Sequence, residues 1–342
     1  MHVIFMRAVG FESLEGPSGI DVIDRPWPTA GPGEAVVEVS ACSINRHDLW
    51  ILNGDSAMVG TDDLPFVSGL DVAGEVTAVG EGVEAIAPGD RVLLCPNQTC
   101  GTCRRCRTGP ETQCASFSLF HGGFAEAIRV DAARLLRIPD GVSSTRAATL
   151  PTAYLTAFRM LRIAGCGPGD RVFIPGVTGG VGIAGVQLAS LAGARTIGTS
   201  SSSQKLGTMR ELGLDVPIEG TDPDSIENAM SDVEPVDIGL DHLGGPYTAL
   251  TQRLLCRGGV IVICGRTVDS TAPIDVPRLF LEQQRIHGST MGTQPELERL
   301  LGLLGSGMLD PVVDRTFPLS AAEAAFQRMA DRAHVGKIVL KP

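Results

Sequence analysis

The stretch Gly176-Val177-Thr178-Gly179-Gly180-Val181-Gly182 decides the fold of the second part of this chain. It comes after the apolar run Val172-Phe173-Ile174, which reads as a buried strand, and it opens a segment whose apolar residues recur at helical spacing. Glycines at such a turn let the backbone approach a pyrophosphate, and the helix N-terminus supplies oriented N–H groups. The strict Gly-x-Gly-x-x-Gly spacing is absent. The stretch predicts a dinucleotide-binding loop, and the alternative is a tight turn without a ligand.

Five more short apolar runs follow, with helix-like segments between most of them. They are Thr196-Ile197, Val216-Pro217-Ile218, Val236-Asp237-Ile238-Gly239-Leu240, Val260-Ile261-Val262-Ile263 and Arg285-Ile286-His287. Short apolar strands that alternate with helices indicate a doubly wound parallel sheet. We therefore expect an α/β domain over residues 146–290.

The first 145 residues have a β-rich pattern instead. Alternating or branched runs recur between turn signals: Ala35-Val36-Val37-Glu38-Val39, Gly74-Glu75-Val76-Thr77-Ala78-Val79, Arg91-Val92-Leu93-Leu94 and Ala127-Ile128-Arg129-Val130. This pattern predicts an irregular antiparallel β domain. After Met291 the chain carries two more helices, from Pro295 to Leu304 and from Ser320 onward, and a last strand at Lys337-Ile338-Val339-Leu340.

The end of the second strand of the α/β domain indicates which dinucleotide binds. An NAD site usually has Asp or Glu there, to bind the ribose 2′-hydroxyl. This chain has Ser200, Ser201 and Ser202 instead, followed by Lys205. Small hydroxyl donors and a cation suit a 2′-phosphate, so the pattern favours NADP(H). The alternative is a solvated serine loop with Lys205 as a surface charge.

A cluster of cysteines predicts a metal lobe at residues 95–114. Cys100, Cys103, Cys106 and Cys114 form C-x2-C-x2-C-x7-C, and four thiolates with such gaps can surround one tetrahedral Zn²⁺. A four-cysteine site has no open coordination position, so one structural Zn²⁺ per chain is expected. The alternative is a set of reduced thiols without metal, and Cys95 is left over in either case.

The composition bounds the class of protein. The chain has 342 residues, of which 43% are hydrophobic and 20% charged, so it has ample apolar mass for full cores. Its formal net charge of −11 disfavours a nucleic-acid or anionic-membrane partner. No apolar run reaches ~18 residues, so no membrane span is expected. The start, Met1-His2-Val3-Ile4-Phe5-Met6-Arg7, lacks the pattern of a signal peptide, and we expect a cytoplasmic protein with reduced thiols.

A β domain with a four-cysteine lobe, then a glycine loop, then a return to the first domain resembles the medium-chain dehydrogenase/reductase superfamily over almost the whole chain. In its zinc alcohol dehydrogenase branch, a catalytic zinc takes a Cys, a His and a third ligand at or near the places of Asn45, Leu70 and Pro151. Leucine and proline side chains have no donor atom for Zn²⁺. The resemblance therefore implies that the structural zinc is kept and the catalytic zinc is lost.

Three segments are similar to the quinone oxidoreductase and enoyl reductase branch: Ser43-Ile44-Asn45-Arg46-His47-Asp48-Leu49-Trp50, Leu150-Pro151-Thr152-Ala153 and Gly336-Lys337-Ile338-Val339-Leu340. This resemblance implies a GroES-like catalytic domain over residues 1–145 and 291–342, with the zinc lobe inside it. It implies a Rossmann NADP-binding domain over 146–290, an active site in the cleft, and homodimers or homotetramers.

The resemblance also implies site residues. Asn45 is expected near the nicotinamide ribose or the substrate carbonyl, and the alternative is a turn residue that satisfies the local backbone. His47 stands where the zinc branch has a Ser or Thr that relays the alcohol proton. It is expected to donate to an enolate or protonate the product, and the alternative is an ordinary part-buried histidine. Asp48 and His121 are expected to be structural. Further cofactor contacts are expected from Thr156, Cys264, Gly265 and Lys337.

Without a Lewis acid, reduction of a simple ketone is hard, whereas a conjugated C=C or a quinone places negative charge where hydrogen bonds can stabilise it. We therefore expect an NADPH-dependent reductase of a small-molecule enone, enal or quinone. Two alternatives stay open. One is an alcohol dehydrogenase that binds a catalytic metal through His47, Asp48 or Asp71. The other is a non-enzymatic, crystallin-like protein that binds NADPH.

Overall fold

The computed structural model describes residues 4–56 and 58–342. Met1-His2-Val3, part of the stretch on which the expectation of no signal peptide rests, lies outside the described residues. The chain divides into two compact units: the residues up to Thr152 together with Thr293–Pro342, and Ala153–Gly292. In the described ranges, no helix is long and apolar enough to span a bilayer.

The strands, in chain order, are β1 (Phe5–Phe11), β2 (Ile20–Pro26), β3 (Glu34–Ser43), β4 (Asp71–Val79), β5 (Arg91–Leu94), β6 (Asn97–Gln98), β7 (Ser118–Leu119), β8 (Ala127–Asp131), β9 (Leu135–Arg137), β10 (Arg171–Ile174), β11 (Arg195–Ser200), β12 (Val216–Glu219), β13 (Val236–Asp241), β14 (Leu255–Ile263), β15 (Arg285–Gly288), β16 (Val313–Pro318) and β17 (Lys337–Lys341).

The α-helices are α1 (Arg46–Leu52), α2 (Arg104–Thr108), α3 (Ser144–Ala147), α4 (Leu155–Ala164), α5 (Gly180–Leu191), α6 (Ser203–Glu211), α7 (Pro223–Ala229), α8 (Pro246–Leu254), α9 (Val276–Leu281), α10 (Gln294–Gly305) and α11 (Ala322–Ala330). A π-helical turn spans Leu150–Tyr154. Helix α11 begins two residues after the predicted Ser320, because a 3-10 turn over Leu319–Ala321 precedes it.

The first unit is built on one main sheet with the strand order β16-β17-β3-β4-β5-β9, and β8 pairs with the other part of β3. All pairs are antiparallel except β16 with β17. The predicted strands in the first 145 residues are confirmed as β3, β4, β5 and β8. Strand β3 alternates buried valines with exposed Glu38 and Ser40, because one of its faces packs on the core.

The second unit contains a six-stranded parallel sheet with the order β12-β11-β10-β13-β14-β15. All six predicted strands are present, and the order reverses beside β10, the first strand, as in doubly wound folds that bind dinucleotides. Its core includes Phe173, Ile197 and Ile261, which are fully buried. The α/β class with a GroES-like and a Rossmann part is therefore correct.

The boundaries between the two units lie at residues 152/153 and 292/293. The sequence analysis predicts them at 145/146 and 290/291. The first difference has a local cause. Helix α3 begins at Ser144 and continues across the predicted boundary, and it packs on strands β3, β4 and β5 of the first unit. Residues 146–152 therefore belong to the β unit.

Candidate active site

Asn45 lies between β3 and α1 and is 5% exposed. Asn45 is the N-cap of α1, and Asp48, three residues further on, completes a capping box with it. Its Oδ1 accepts from Lys337 Nζ, and its Nδ2 donates to Asp71 Oδ2 at 2.9 Å and to the Ser43 carbonyl at 3.4 Å. Both ends of the amide are therefore held by a buried polar network.

The centre of this network is an ion pair between Lys337 and Asp71, which are 3% and 0% exposed. Lys337 Nζ lies 3.2 Å from Asp71 Oδ2 and also donates to the Ile44 carbonyl at 2.9 Å. Asp71 further accepts the hydroxyls of Ser43 at 2.7 Å and Thr152 at 2.6 Å. The ammonium thus has three protein acceptors. The predicted contact of Lys337 with the cofactor stays a prediction.

Asp48 anchors a second buried chain. Its Oδ2 accepts the Asn45 N–H at 2.7 Å, and its Oδ1 accepts the Ser68 hydroxyl at 2.6 Å and the Gly69 N–H at 3.3 Å. Burial raises the pKa of the Asp48 carboxyl, and the charge of His47 and these hydrogen bonds act in the opposite direction. Asp48 therefore holds the start of α1 and the turn before β4, which agrees with the predicted structural role.

His47 is half-buried, and its ring stacks on that of His121 with 5.4 Å between ring centroids and 26° between planes. The Nε2 atom of each ring is buried, and no described protein group lies within hydrogen-bond distance of either. His47 follows Asn45 by two residues on the first turn of α1. The structure thus brings Asn45 and His47, the two predicted catalytic residues, to one helix end.

The four predicted metal ligands converge. The Sγ atoms of Cys100, Cys103, Cys106 and Cys114 all lie within 4.8 Å of one another, and the close pairs are separated by 3.5 to 3.9 Å. A tetrahedron with Zn–S bonds of ~2.3 Å has edges of ~3.8 Å, so the four thiols fit a Zn²⁺ ion. Glu111 lies in this lobe, and its carboxylate binds Arg134, Asn97 Nδ2 and the Gln294 N–H.

The glycine loop connects β10 to α5 in the second unit. Gly176 has φ +72°, which favours glycine, and its N–H donates to Thr199 Oγ1 at 3.0 Å, so the loop is tied to the end of β11. Gly179 is the N-cap of α5 and offers no side-chain cap, and a Cβ there would meet nothing within 4 Å. The first N–H groups of a helix have no intrahelical partner, and at α5 no N-cap side chain takes their place, an arrangement that suits an anion such as a pyrophosphate.

Ser200 ends β11 and is 7% exposed, and its Oγ accepts the Ser202 N–H at 3.3 Å. Ser202 caps α6 by accepting the Lys205 N–H at 3.3 Å, so Lys205 lies on the first turn of that helix. Ser201 is exposed between them. The strand register aligns Ser200 with Glu219, which is exposed at the end of β12.

The remaining predicted cofactor contacts lie in two places of the second unit. Thr156, on α4, is 6% exposed, and its hydroxyl is directed at Met291 Sδ, 4.0 Å away. Cys264 and Gly265 follow β14, and the Cys264 N–H donates to the Asp241 carbonyl. Burial raises the pKa of the Cys264 thiol to about 12, so it stays protonated and is no nucleophile at neutral pH.

Sequence reasoning missed the partners of Asn45. Ser43, Thr152 and the buried head of Lys337 were not expected in one network with it. No local signal in the sequence marks Lys337 as buried, because it opens a strand that also ends in a lysine.

Comparisons with known proteins agree with this architecture. The family model of the alcohol dehydrogenase GroES-like domain matches residues 31–140, and the model of the zinc-binding dehydrogenase matches residues 212–340. An acryloyl-coenzyme A reductase of Metallosphaera sedula is 30% identical over 94% of this chain and 96% of its own length. An alcohol dehydrogenase of Moraxella sp. is 31% identical over 98% of this chain and 99% of its own length. The crystal structure of an NAD-dependent alcohol dehydrogenase superposes with a TM-score of 0.89 and 34% identity, over 98% of this chain and 100% of that one.

The chain thus has the two-unit α/β architecture with a Rossmann sheet and a GroES-like β unit. The chain belongs to the medium-chain dehydrogenase/reductase superfamily of oxidoreductases.

Proposed function

We propose that this protein is an NADPH-dependent reductase of conjugated C=C bonds or quinones that works without a catalytic zinc. The observation that carries the proposal is the buried Lys337–Asp71–Asn45 network. Asn45 lies where the zinc branch has its first cysteine ligand. Its amide oxygen accepts from the Lys337 ammonium, and its amide nitrogen donates to the Asp71 carboxylate. The side chains at the other two ligand places, Leu70 and Pro151, have no donor atoms. A relative named acryloyl-coenzyme A reductase supports the proposed substrate class.

The chain's own residues must stabilise the negative charge that develops on the substrate's carbonyl oxygen. When bound, the reduced nicotinamide supplies the hydride. The N–H groups of Asn45 and Lys337 donate to protein acceptors. We therefore assign these two residues the role of positioning the start of α1. The imidazole of His47 is the group at this helix end whose Nε2 has no protein partner, and in its protonated form it can donate to the oxygen or to the α carbon.

The metal-dependent alternative has less support. In the described ranges, the cysteine lobe is the one group of three or more His, Cys, Asp or Glu residues whose donor atoms lie within 4.8 Å of one another. His47, Asp48 and Asp71 do not form such a group, and the Lys337 ammonium lies against the Asp71 oxygen that a metal would use. The relatives named alcohol dehydrogenase are the reason to include alcohols in the test.

A substrate panel tests the function. We expect the purified protein to oxidise NADPH with an enal, an enone, a conjugated acyl thioester or a quinone, and to remain active in a metal chelator. His47→Gln is expected to lower kcat at least ~10-fold, since general acid catalysis typically contributes 10² or more. His287→Gln, an exposed histidine in the second unit, is the control. Chelator-sensitive oxidation of a secondary alcohol would contradict the proposal and favour the metal-dependent dehydrogenase. NADPH binding without turnover would favour the crystallin-like protein.

We further propose that the cofactor is NADP(H) and not NAD(H). Ser200 stands where an acid would bind a 2′-hydroxyl, and Lys205 lies one helical turn beyond the Ser202 cap. We expect NADPH to bind at least ~10-fold tighter than NADH, a difference of ~1.4 kcal/mol. Lys205→Ala should remove most of this difference, whereas Arg210→Ala on the exposed part of α6 should not. Equal dissociation constants in the unmodified protein, measured by fluorescence titration, would contradict the assignment.

We also propose a homodimer that forms through the second unit, alone or within a homotetramer. Strand β15 is an edge strand of the six-stranded sheet, and beside it in sequence α9 carries Val276, Phe280 and Leu281 with exposures of 60%, 64% and 58%. Exposed edges and apolar side chains of this kind favour association. We expect Phe280→Glu to shift the chain toward monomer in sedimentation velocity, while Met308→Glu, equally exposed on the first unit, leaves it unchanged. A monomeric unmodified protein would contradict the proposal.

A further inference from the structure

His121 has a defined place in the first unit that the proposed function does not use. The sequence predicts only a structural role for it. Its ring lies between His47, which stacks on it, and Phe66, whose ring meets it at 5.2 Å between centroids and 61°. Its Nδ1 atom faces Ser68 Oγ at 3.4 Å.

The hydrogen bonds around Ser68 determine which nitrogen of His121 carries the proton. A serine hydroxyl has one proton, and Ser68 donates it to Asp48 Oδ1 at 2.6 Å. Toward His121 the Ser68 oxygen can then only accept, so Nδ1 must be the N–H side of the ring. Burial and the charge of His47 lower the pKa of His121 to about 4, and the ring is therefore neutral at pH 7. A neutral imidazole with its proton on Nδ1 presents Nε2 as an acceptor.

That acceptor is buried, and no described group of the protein donates to it. A buried polar atom without a partner typically costs 1–3 kcal/mol, so such an atom is a reason to look for a ligand group that satisfies it. A metal ion is a poor candidate. His47 and His121 offer two nitrogens, and no third His, Cys, Asp or Glu donor atom joins them within 4.8 Å among the described residues.

We propose that His121 is a specificity-determining residue whose Nε2 accepts a hydrogen bond from a hydroxyl or amide N–H of the substrate. Asp48 and Ser68 position it: the carboxylate holds the serine, and the serine holds the ring in the accepting tautomer. The proposal rests on the proposed function in taking the substrate to be a conjugated carbonyl compound, and it adds a hydrogen-bond donor to that substrate. The donor separates such substrates from carbonyl analogues without a hydroxyl or amide N–H, because a site built to bond a donor rejects the analogue that lacks it.

The tautomer can be measured without any turnover. In ¹⁵N-labelled protein at pH 7, long-range ¹H–¹⁵N correlation distinguishes a protonated from an unprotonated ring nitrogen. We expect the His121 signals, assigned by their loss in His121→Phe, to show a protonated Nδ1 and an unprotonated Nε2. Ser68→Ala should change this pattern. A charged ring, or a proton on Nε2, would overturn the proposal.

Matched ligands test the recognition itself. We expect kcat/KM with NADPH to be at least ~10-fold higher for 4-hydroxy-2-nonenal than for 2-nonenal, or for the N-acetylcysteamine thioester of crotonate than for its butyl thioester. In His121→Phe, which keeps an aromatic ring against His47, this ratio should fall to about 1. Ratios near 1 for both pairs in the unmodified protein, or a ratio that survives His121→Phe, would overturn the proposal.

A separate readout distinguishes failure of the proposal from failure of the proposed function. If no conjugated substrate is reduced, the proposed function is wrong. The His121 Nε2 resonance then tests the role of His121 without turnover. It should shift on titration with 4-hydroxy-2-butanone and not with 2-butanone. Equal response to both ketones would overturn the role of His121.

Discussion

Replacing Lys337 by methionine is expected to lower the free energy of unfolding by ~3–5 kcal/mol, the usual cost of leaving one partner of a buried ion pair alone. Asp71 would remain as a buried carboxylate with only hydroxyl and amide donors, and Asn45 Oδ1 would lose its partner. Denaturant unfolding followed by circular dichroism measures the change. Activity should fall with it, because Asn45 positions the first turn of α1, on which His47 lies.

Lys341→Met is the matched control, since Lys341 ends the same strand β17 and is exposed. It should change the free energy of unfolding by less than ~0.5 kcal/mol. In Lys337→Met/Asp71→Asn the carboxylate charge is removed as well, and part of the loss should be recovered. If Lys337→Met unfolded within ~1 kcal/mol of the unmodified protein, the ion pair would not hold this site together.

Disruption of the four-cysteine site is expected to have the second large effect. We propose that one Zn²⁺ binds per chain, at the four cysteines of the lobe. Structural zinc sites are worth ~10 kcal/mol or more to the segment they fold. Cys103→Ser should therefore lose the metal and unfold at a lower temperature than the unmodified protein. Elemental analysis and calorimetry on the same samples measure both quantities.

The chemical step should be less affected than the stability, because Cys103 is not part of the Asn45 network. Cys166→Ser, a half-buried cysteine of the second unit, is the control and should keep both zinc and melting temperature. A protein that is stable without zinc would contradict the assignment. Two zinc ions per chain would instead support the metal-dependent dehydrogenase.

The second unit and the convergence of the four cysteines could be predicted because their signals are local. Each strand of the parallel sheet is a short apolar run bounded by turn residues, and the glycine loop directly follows the first of them. The four cysteines lie within 15 positions of one another, so their spacing alone restricts the geometry. Tertiary contacts are not needed to read either pattern.

The network around Asn45 could not be predicted in the same way. Lys337 lies 266 positions from Asp71 and 292 positions from Asn45 in the sequence. The local sequence around Lys337 or around Asn45 does not indicate that the side chain is buried. A lysine at the start of a strand resembles an exposed end residue, and an asparagine before a helix resembles an ordinary cap. Only the pairing of β17 with β3 brings them together.

The burial of Lys337 gives the chain an unusual distribution of reactive amines. The sequence has only three lysines, Lys205, Lys337 and Lys341, so nearly all of its positive charge is arginine. Acylating reagents attack the neutral amine and need access to it, which the folded protein denies at Lys337. Lys337 therefore becomes modifiable only when the first unit opens. Its acylation, read by mass spectrometry, would report the unfolding of that unit, while Lys341 at the carboxyl end of the same strand serves as the internal reference.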